Sequence, residues 1–340
     1  MKHTDFAKSL SDFLSTYLVS ECGYSINTVK AYATTFSLFV VFFSEIKKKK
    51  INSIVLDDIT KPVILYFLEW LEKVKRNNVS TRNARLAALK SFFKYLEYRN
   101  IKDIAKWQGL LNVKTKRDNK NKIISFLSEE EIMILLAEPG TNSKKTIRDT
   151  TLLSLMYDTG CRVQELCDFV PLSIKFGETS TIKIIGKGER IRVVPLSDKC
   201  VNLLKYYMDR VNLFASYTNK YPLFSGPNNH KLSRNTINAL INKYVISAKK
   251  KHNTLFTQHV TPHSFRHSRS MHLLDAGVDL IWIKDFLGHS SLQTTEIYAK
   301  LSENKKREAL ERVNNEIYPK EMAPWQINSD LLNMLNSYKK

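Results

Sequence analysis

The chain has few of the residues that mark cross-linked, secreted or membrane-spanning proteins. No Cys-x-x-Cys pair or zinc-ligand spacing joins its four cysteines, Cys22, Cys161, Cys167 and Cys200. We therefore expect a reduced intracellular protein rather than a disulfide scaffold. The first residues lack a signal-peptide pattern, and the apolar run 38–43 is far below the roughly 20 residues that span a bilayer. The sequence predicts a soluble, cytoplasmic protein without a membrane partner.

Acidic residues are also scarce relative to basic ones. The chain has 53 Lys and Arg residues against 33 Asp and Glu residues, a formal net charge of +20. Such an excess concentrates a polyanion near the protein and speeds the encounter with it. Nucleic acid is therefore the leading partner class. The length of 340 residues favours two domains, each large enough to bury its own core.

Apolar residues of the first hundred positions recur every three or four, as one-sided helices require. They predict four helices: one over 6–18, one from about Asn27, one after Pro62, and a fourth that Ser80 caps. Beyond them, residues 114–125 are rich in Lys and Arg, and we place an interdomain linker there.

The second half combines helical patterns with one alternating segment. Ser128 and Glu131 form a capping box before an apolar run, which predicts a helix start. Residues 181–196 alternate apolar and polar around Gly-Lys-Gly, which predicts a hairpin with Lys187 at its tip. Further helices are predicted over 147–158, 233–250, 264–276 and 280–287. The fold class is therefore mainly α with a small antiparallel β-sheet.

Six residues in this half carry chemistry that suits one DNA phosphodiester: Arg162, Lys187, His263, Arg266, His289 and Tyr298. They stand in the strings Thr-Gly-Cys-Arg-Val-Gln-Glu-Leu, Gly-Lys-Gly, His-Ser-Phe-Arg-His and Leu-Gly-His, with the tyrosine nine residues after the last histidine. In order, spacing and residue type, this set resembles the tyrosine recombinase (phage integrase) family, most of all the integrases and transposases of bacterial mobile elements.

The resemblance implies a helical core-binding, SAM-like domain over 1–113 and a mixed α+β catalytic domain over 126–318. It implies a tail over 319–340 whose short helix docks on a neighbouring protomer. Double-stranded recombination sites are the implied substrate, bound by a dimer at each site and a tetramer in the synapse, with accessory DNA-bending proteins as a further partner class. No cofactor is implied, and the implied location is the bacterial cytoplasm, with association to the nucleoid when the protein is bound to DNA.

The residue types fit the chemistry that the resemblance implies. Arginine forks stabilise the charge that gathers on a phosphate under attack, which suits Arg162 and Arg266, although a surface ion pair is the ordinary alternative for either. Tyr298 supplies a phenolic nucleophile that retains the energy of the broken bond. Lys187 can protonate the leaving 5' oxygen, but Gly-Lys-Gly alone is also common turn chemistry.

The ordinary pKa of a histidine side chain lies near neutral pH, so a histidine can exchange a proton beside the phosphate. This chemistry suits His263 and His289. Glu165, one turn after Arg162, is predicted to orient a neighbouring group, with a plain surface acid as the alternative. His263 and His267 are spaced as zinc ligands, but the intervening Arg266 would repel a cation, so we expect no metal.

These observations predict a site-specific DNA recombinase that works through a 3'-phosphotyrosyl intermediate and a Holliday junction, in integration, excision or transposition. A chromosome or plasmid dimer resolvase and a type IB topoisomerase need the same catalytic set. A DNA-binding protein without catalysis is the alternative of another class, and it would need no attacking tyrosine.

Overall fold

The chain divides into the units Met1–Lys122 and Ile123–Lys340, and each has its own apolar core. In the second unit a smaller apolar cluster of Met271, Leu274, Ile283 and Leu287 adds to the large one. The computed structural model describes residues 4–99, 103–117, 126–288 and 335. Residues 118–125 of the predicted linker, and the predicted tail except Leu335, lie outside the described residues. The first unit is helical, and the second combines helices with a small antiparallel sheet, so the predicted fold class is confirmed.

The first unit is built from helices joined by short loops. Its first helix continues directly into a π-helical segment, Phe13–Glu21. Its α-helices are α1 (Asp5–Asp12), α2 (Ile26–Glu45), α3 (Lys61–Lys73), α4 (Val79–Arg99) and α5 (Ile104–Leu111).

Aromatic side chains fill the core of this unit. The ring of Phe92 on α4 lies 5.1 Å from the rings of both Phe13 and Phe36, centroid to centroid, in edge-on geometry. Phe39 and Phe67 meet in the same way at 4.9 Å. Edge-on contacts place the positive edge of one ring against the negative face of another, so these pairs stabilise the packing beyond the area they bury.

Helix α2 is long and apolar enough, by length and composition, to cross a membrane. The core helix of a water-soluble domain can have the same length and apolar composition. Phe36, Phe39, Phe42 and Phe43 of α2 are buried among the other helices of the unit. Burial of these four rings accounts for the apolar composition of the helix.

The second unit carries its sheet between two groups of helices along the chain. The helices are α6 (Glu129–Ala137), α7 (Lys144–Thr159), α8 (Val163–Asp168), α9 (Asp198–Arg210), α10 (Arg234–Lys251), α11 (Pro262–Asp275) and α12 (Leu280–Leu287). The strands are β1 (Ile174–Lys175), β2 (Thr181–Ile185) and β3 (Ile191–Pro195).

The three strands pair antiparallel in the order β1-β2-β3. Ile182 lies opposite Val194, and both side chains are fully buried on the face that meets the helices. Ile184 lies opposite Arg192, which therefore shares the inward face with Val194. The β2–β3 pair is the predicted hairpin, whereas the short strand β1 had no sequence signal of its own.

The predicted helix starts agree with the structure at several positions. The capping box is present: Ser128 Oγ accepts from the Glu131 amide at 3.1 Å, and Glu131 Oε2 accepts from the Ser128 amide at 2.9 Å. Pro62 lies in the first turn of α3. The cap predicted at Ser80 is wrong, because α4 begins one residue earlier, at Val79. Asn78 Oδ1 accepts from the Thr81 amide at 2.8 Å and caps the helix instead.

Replacing Asn78 with alanine is expected to lower the free energy of unfolding by about 1 kcal/mol, because the side-chain bond to the first turn of α4 is lost. Ser80→Ala is the matched control and should change it by no more than about 0.5 kcal/mol, since Ser80 lies exposed inside the helix. Urea unfolding of both variants measures the difference. Equal losses would contradict the cap assignment.

Candidate active site

The site begins where α7 ends. Gly160 has a left-handed backbone (φ 55°) that stops the helix and turns the chain. Two residues later Arg162 caps α8, and the carboxylate of Glu165 reaches back to accept from the Arg162 amide at 2.8 Å. The same carboxylate accepts from Nη1 of Arg162 at 2.9 Å. The local fold therefore fixes the Arg162 guanidinium while leaving 37% of its side chain exposed.

Glu165 is buried and has a second arginine partner. Arg192 of β3 donates from Nη1 to Oε1 at 3.1 Å and from Nη2 to Oε2 at 2.7 Å, a two-pronged contact. Burial by itself would raise the pKa of Glu165, but the hydrogen bonds and charges of Arg192 and Arg162 outweigh it and lower the pKa. Glu165 is therefore a carboxylate at neutral pH. Glu165 accepts hydrogen bonds from Arg162 and Arg192, while its predicted role in orienting a neighbouring active-site group stays a prediction.

Helix α11 supplies Arg266 and His263. The helix starts at Pro262, and Thr261 Oγ1 accepts from the Ser264 amide at 3.3 Å. Arg266 is nearly fully buried and donates to the carbonyl oxygens of Gly160 and Leu287, both at 2.7 Å. Arg266 thus joins the end of α7 to the end of α12.

Three arginines converge on the C-terminal end of α12. Arg192 Nε donates to the Phe286 carbonyl at 3.1 Å, and Arg162 Nη2 donates to the Gly288 carbonyl at 3.3 Å. With the bond from Arg266 to Leu287, three consecutive carbonyls at this end each accept from a different arginine. The last carbonyls of a helix lack partners within it and carry partial negative charge, so guanidinium groups suit them.

The β2–β3 hairpin brings Lys187 to the same region. Gly186, the preceding residue, packs closely enough that an added Cβ would lie 3.5 Å from Glu165 Oε1 and 3.7 Å from Arg192 Nη1. The turn is closed by a hydrogen bond from the Gly186 amide to the Arg190 carbonyl at 2.8 Å. The backbone of the turn that carries Lys187 therefore begins beside Glu165.

All three histidines of α11 have lowered pKa values, and the charge of Arg266 contributes to the shifts of His263 and His267. Partial desolvation, followed by the positive charges of Arg266 and Arg162, lowers the pKa of His263, whose ring still reaches solvent. Stronger desolvation, with His263 and Arg266 nearby, lowers the pKa of His267 to about 4. Both rings are therefore mainly neutral at pH 7, and His263 can accept a proton there.

Among the predicted site residues, Arg162, Glu165 and Arg266 are joined by hydrogen bonds to one another or to the end of α12, and His263 lies on the same helix as Arg266 and feels the charges of both arginines. The turn that carries Lys187 begins at Gly186, beside Glu165. His289 and Tyr298 lie outside the described residues, which in this part of the chain end at Gly288. Within the described ranges, no three His, Cys, Asp or Glu side chains form a cluster that could hold a metal ion. The assembled groups are guanidinium forks and a neutral imidazole, a set that suits an anionic phosphate.

Arg192 was not predicted as part of the site, and the reason why glycine stands at positions 160 and 288 was not predicted either. A charged residue on the inward face of β3, beside Val194, was the available signal for Arg192, because such a residue needs a buried partner. At Gly288 (φ 66°) an added Cβ would lie 3.0 Å from Cδ of Arg192, and at Gly160 it would lie 2.8 Å from Cδ2 of Leu287. Gly288 therefore lets the end of α12 approach Arg192, and Gly160 lets the end of α7 approach Leu287 of α12.

Comparison with known proteins places this arrangement in a family. Residues 125–305 match the model of the phage integrase family, and residues 11–100 match that of the phage integrase N-terminal SAM-like domain. The chain belongs to the phage integrase family. It is a tyrosine recombinase, an enzyme that breaks and rejoins DNA at specific sites.

Relatives cover nearly the whole chain. A tyrosine recombinase of Pseudothermotoga lettingae is 31% identical over 89% of this chain and 97% of its own. The tyrosine recombinase XerC of Rickettsia bellii is 32% identical over 84% of this chain and 90% of its own. The Tn1549 transposon integrase, solved with a circular intermediate DNA, shares the fold with a TM-score of 0.67 at 17% identity, over 92% of this chain and all of that one.

Replacing Gly160 with alanine is expected to destabilise the second unit and to disturb the carbonyl that Arg266 holds. The left-handed backbone costs about 1 kcal/mol for alanine, and overlap with the buried Leu287 methyl adds about 1 to 3 kcal/mol. Urea unfolding measures the loss. Gly140→Ala is the matched control, because Gly140 has φ 71° but no atom within 4 Å of an added Cβ. Equal losses would show that the contact with Leu287 has no effect.

Proposed function

We propose that the chain is a site-specific recombinase that cuts DNA with Tyr298, forms a 3'-phosphotyrosyl link, and serves the integration, excision or transposition of a mobile element. The observation that carries the proposal is the convergence of Arg162 and Arg266 at the end of α12, with His263 near enough for the charges of both arginines to lower its pKa. The chain continues from this end directly into His289, with Tyr298 nine residues further on. Because they follow the end of α12 so closely in the sequence, His289 and Tyr298 can be brought to the same phosphate.

The proposed cleavage step is a transesterification. The phenolic oxygen of Tyr298 attacks phosphorus, a new O–P bond forms, and the bond from phosphorus to the 5' oxygen breaks. The phenolic proton passes to a base, for which the neutral ring of His263 is suited. Arg162 and Arg266 stabilise the charge that gathers on the two non-bridging oxygens. Rejoining is the same reaction in reverse, with a 5' hydroxyl as the nucleophile.

Two further groups complete the proposed set. Lys187, on the turn between β2 and β3, donates a proton to the leaving 5' oxygen. His289 donates a hydrogen bond to the phosphate beside the arginines. The close packing of Gly186 against Glu165 supports the role of Lys187, because it brings the start of this turn to the site.

The proposed assembly is a dimer on each DNA site and a tetramer when two sites pair, with strands exchanged through a Holliday junction. Two domains with a basic excess suit a protein that holds a duplex, and solved structures with the same fold include the XerH site-specific recombinase bound to difH substrate and the Tn1549 transposon integrase with circular intermediate DNA. We propose the tail over 319–340 as a contact between protomers. Accessory DNA-bending proteins would set the direction of exchange.

A dimer resolvase of chromosomes or plasmids is the second candidate, favoured by the similarity to XerC of Rickettsia bellii. The two candidates differ in where the protein binds inside cells. Chromatin immunoprecipitation in the source cell should find it at both ends of a DNA segment that includes its own gene if it serves a mobile element. A single chromosomal or plasmid locus without such a segment would instead favour the resolvase.

The central test is covalent attachment to DNA. The protein is first used to select its site from random-sequence duplexes, and nicks are then placed at successive positions across that site. Wild-type protein should give an adduct that survives denaturation, with the 3' phosphate attached to Tyr298. Tyr298→Phe should bind the same duplex with unchanged affinity and give no adduct, because it lacks the nucleophilic oxygen. Denaturing gels and peptide mapping measure both results.

Tyr217→Phe is the matched control, since Tyr217 is an exposed tyrosine of the same unit, and it should form the adduct at the wild-type rate. An adduct on another residue would overturn the assignment of the nucleophile. Binding without any adduct, alike in wild type and Tyr298→Phe, would favour the DNA-binding protein without catalysis.

A further inference from the structure

Arg192 is a largely buried cation whose side chain is only 11% exposed. It lies on the inward face of β3, opposite Ile184, where an apolar side chain would be ordinary. Removing a guanidinium from water costs free energy unless every direction of the fork finds a partner. Arg192 finds these partners in Glu165 and Phe286, both in the candidate active site.

The first set of partners is the carboxylate of Glu165, which Arg192 holds through two parallel hydrogen bonds of 3.1 and 2.7 Å. Two parallel bonds fix the plane of the carboxylate as well as its position. Glu165 in turn holds the amide and the guanidinium of Arg162. The orientation of Arg162 toward a phosphate therefore depends on Arg192 through one intervening group.

The second partner is the C-terminal end of α12. Nε of Arg192 donates to the Phe286 carbonyl, while Arg266 and Arg162 hold the next two carbonyls. The residue that follows Gly288 in the chain is His289. Arg192 therefore helps to hold the backbone just before the chain continues to His289 and Tyr298, the proposed histidine and nucleophile.

The third connection is through the hairpin itself. Arg192 stands on β3, five residues after Lys187, and Gly186 packs beside its guanidinium. Gly288 lies against the other side, where an added Cβ would come within 3.0 to 3.4 Å of three atoms of Arg192. A side chain at Gly288 would therefore compete with Arg192 for the same space, and Gly186 lies within ordinary contact range of the guanidinium.

We propose that Arg192 is a positioning residue for DNA cleavage, which sets the Lys187 hairpin, the Glu165–Arg162 pair and the end of α12 in one fixed arrangement. This inference rests on the proposed function, because it assigns Arg192 to the site formed by those residues. A plain stabilising ion pair would require only the contact with Glu165. The additional bond to Phe286 and the contacts with Gly186 and Gly288 connect Arg192 to the hairpin of Lys187 and to the end of α12, which precedes His289 in the sequence.

The test compares single-turnover adduct formation with DNA affinity on the nicked duplex. Arg192→Met should lower the rate constant at saturating protein by about 100-fold, because misplacing reacting groups by about 1 Å has that effect. The dissociation constant should change by less than about threefold, since Arg192 touches protein groups rather than DNA. Arg192→Lys keeps the charge without the fork and should recover part of the rate.

A double-mutant cycle with Glu165→Gln tests the route of the effect. If Arg192 acts largely through Glu165, adding Arg192→Met to Glu165→Gln should lower the rate much less than it does in the wild-type background. Arg210→Met is the charge-matched control. Arg210 is exposed on α9, and its guanidinium donates to the hydroxyl of Tyr206 on the same helix. Its rate should stay within about twofold of wild type.

The outcomes separate this inference from the proposed function. Wild-type protein that forms no adduct would overturn the proposed function, whereas a wild-type adduct with an equally fast Arg192→Met variant would overturn only the role of Arg192. A loss confined to DNA affinity, or losses that multiply in the double variant, would also overturn it. Thermal unfolding checks each variant, and Arg192→Lys decides the question if Arg192→Met does not fold.

Discussion

The buried carboxylate of Glu165, shared between two arginines, is the interaction on which the candidate site depends. A carboxylate in this position would be unfavourable without cations, and Arg162 and Arg192 supply them from different elements. Because Arg162 lies on the turn before α8 and Arg192 on β3, the ion pairs bind the sheet to the helices. Removing Arg192 would leave the buried Glu165 with Arg162 alone, and removing Glu165 would leave both arginines without their carboxylate, so the three residues are expected to act as a unit.

The end of α12 is the second constraint, and it follows from the chemistry of helix termini. Its last carbonyls lack partners within the helix, and three arginines from separate elements fill that need. Gly160 and Gly288 allow these elements to lie close together. An added Cβ would lie 2.8 Å from Cδ2 of Leu287 at Gly160 and 3.0 Å from Cδ of Arg192 at Gly288. The same guanidinium groups that suit a phosphate thus also hold the protein backbone that leads to His289.

Much of this could be predicted from sequence where the signal is local. The capping box at Ser128, the hairpin around Lys187 and the helix of Arg266 each depend on residues within a few positions of one another. The start of α4 was predicted wrongly because Asn78 and Ser80 are both good caps, and one hydrogen bond to Thr81 decides between them. Such a choice depends on where the preceding loop directs the chain.

Arg192 shows the opposite case. Its partners lie 27 positions before it, at Glu165, and 94 positions after it, at Phe286. Nothing in the neighbouring sequence specifies contacts at that distance, although the inward register of β3 indicates that a buried charge is present. The roles of His289 and Tyr298 stay predictions, since both lie beyond the described residues.

The most direct test is the structure of the protein trapped on a nicked duplex that carries its selected site. We expect a phosphate joined to Tyr298, with its non-bridging oxygens within hydrogen-bonding distance of Arg162 and Arg266. Glu165 should still be held by Arg192. A phosphate bound elsewhere, or one reached by neither arginine, would contradict this expectation.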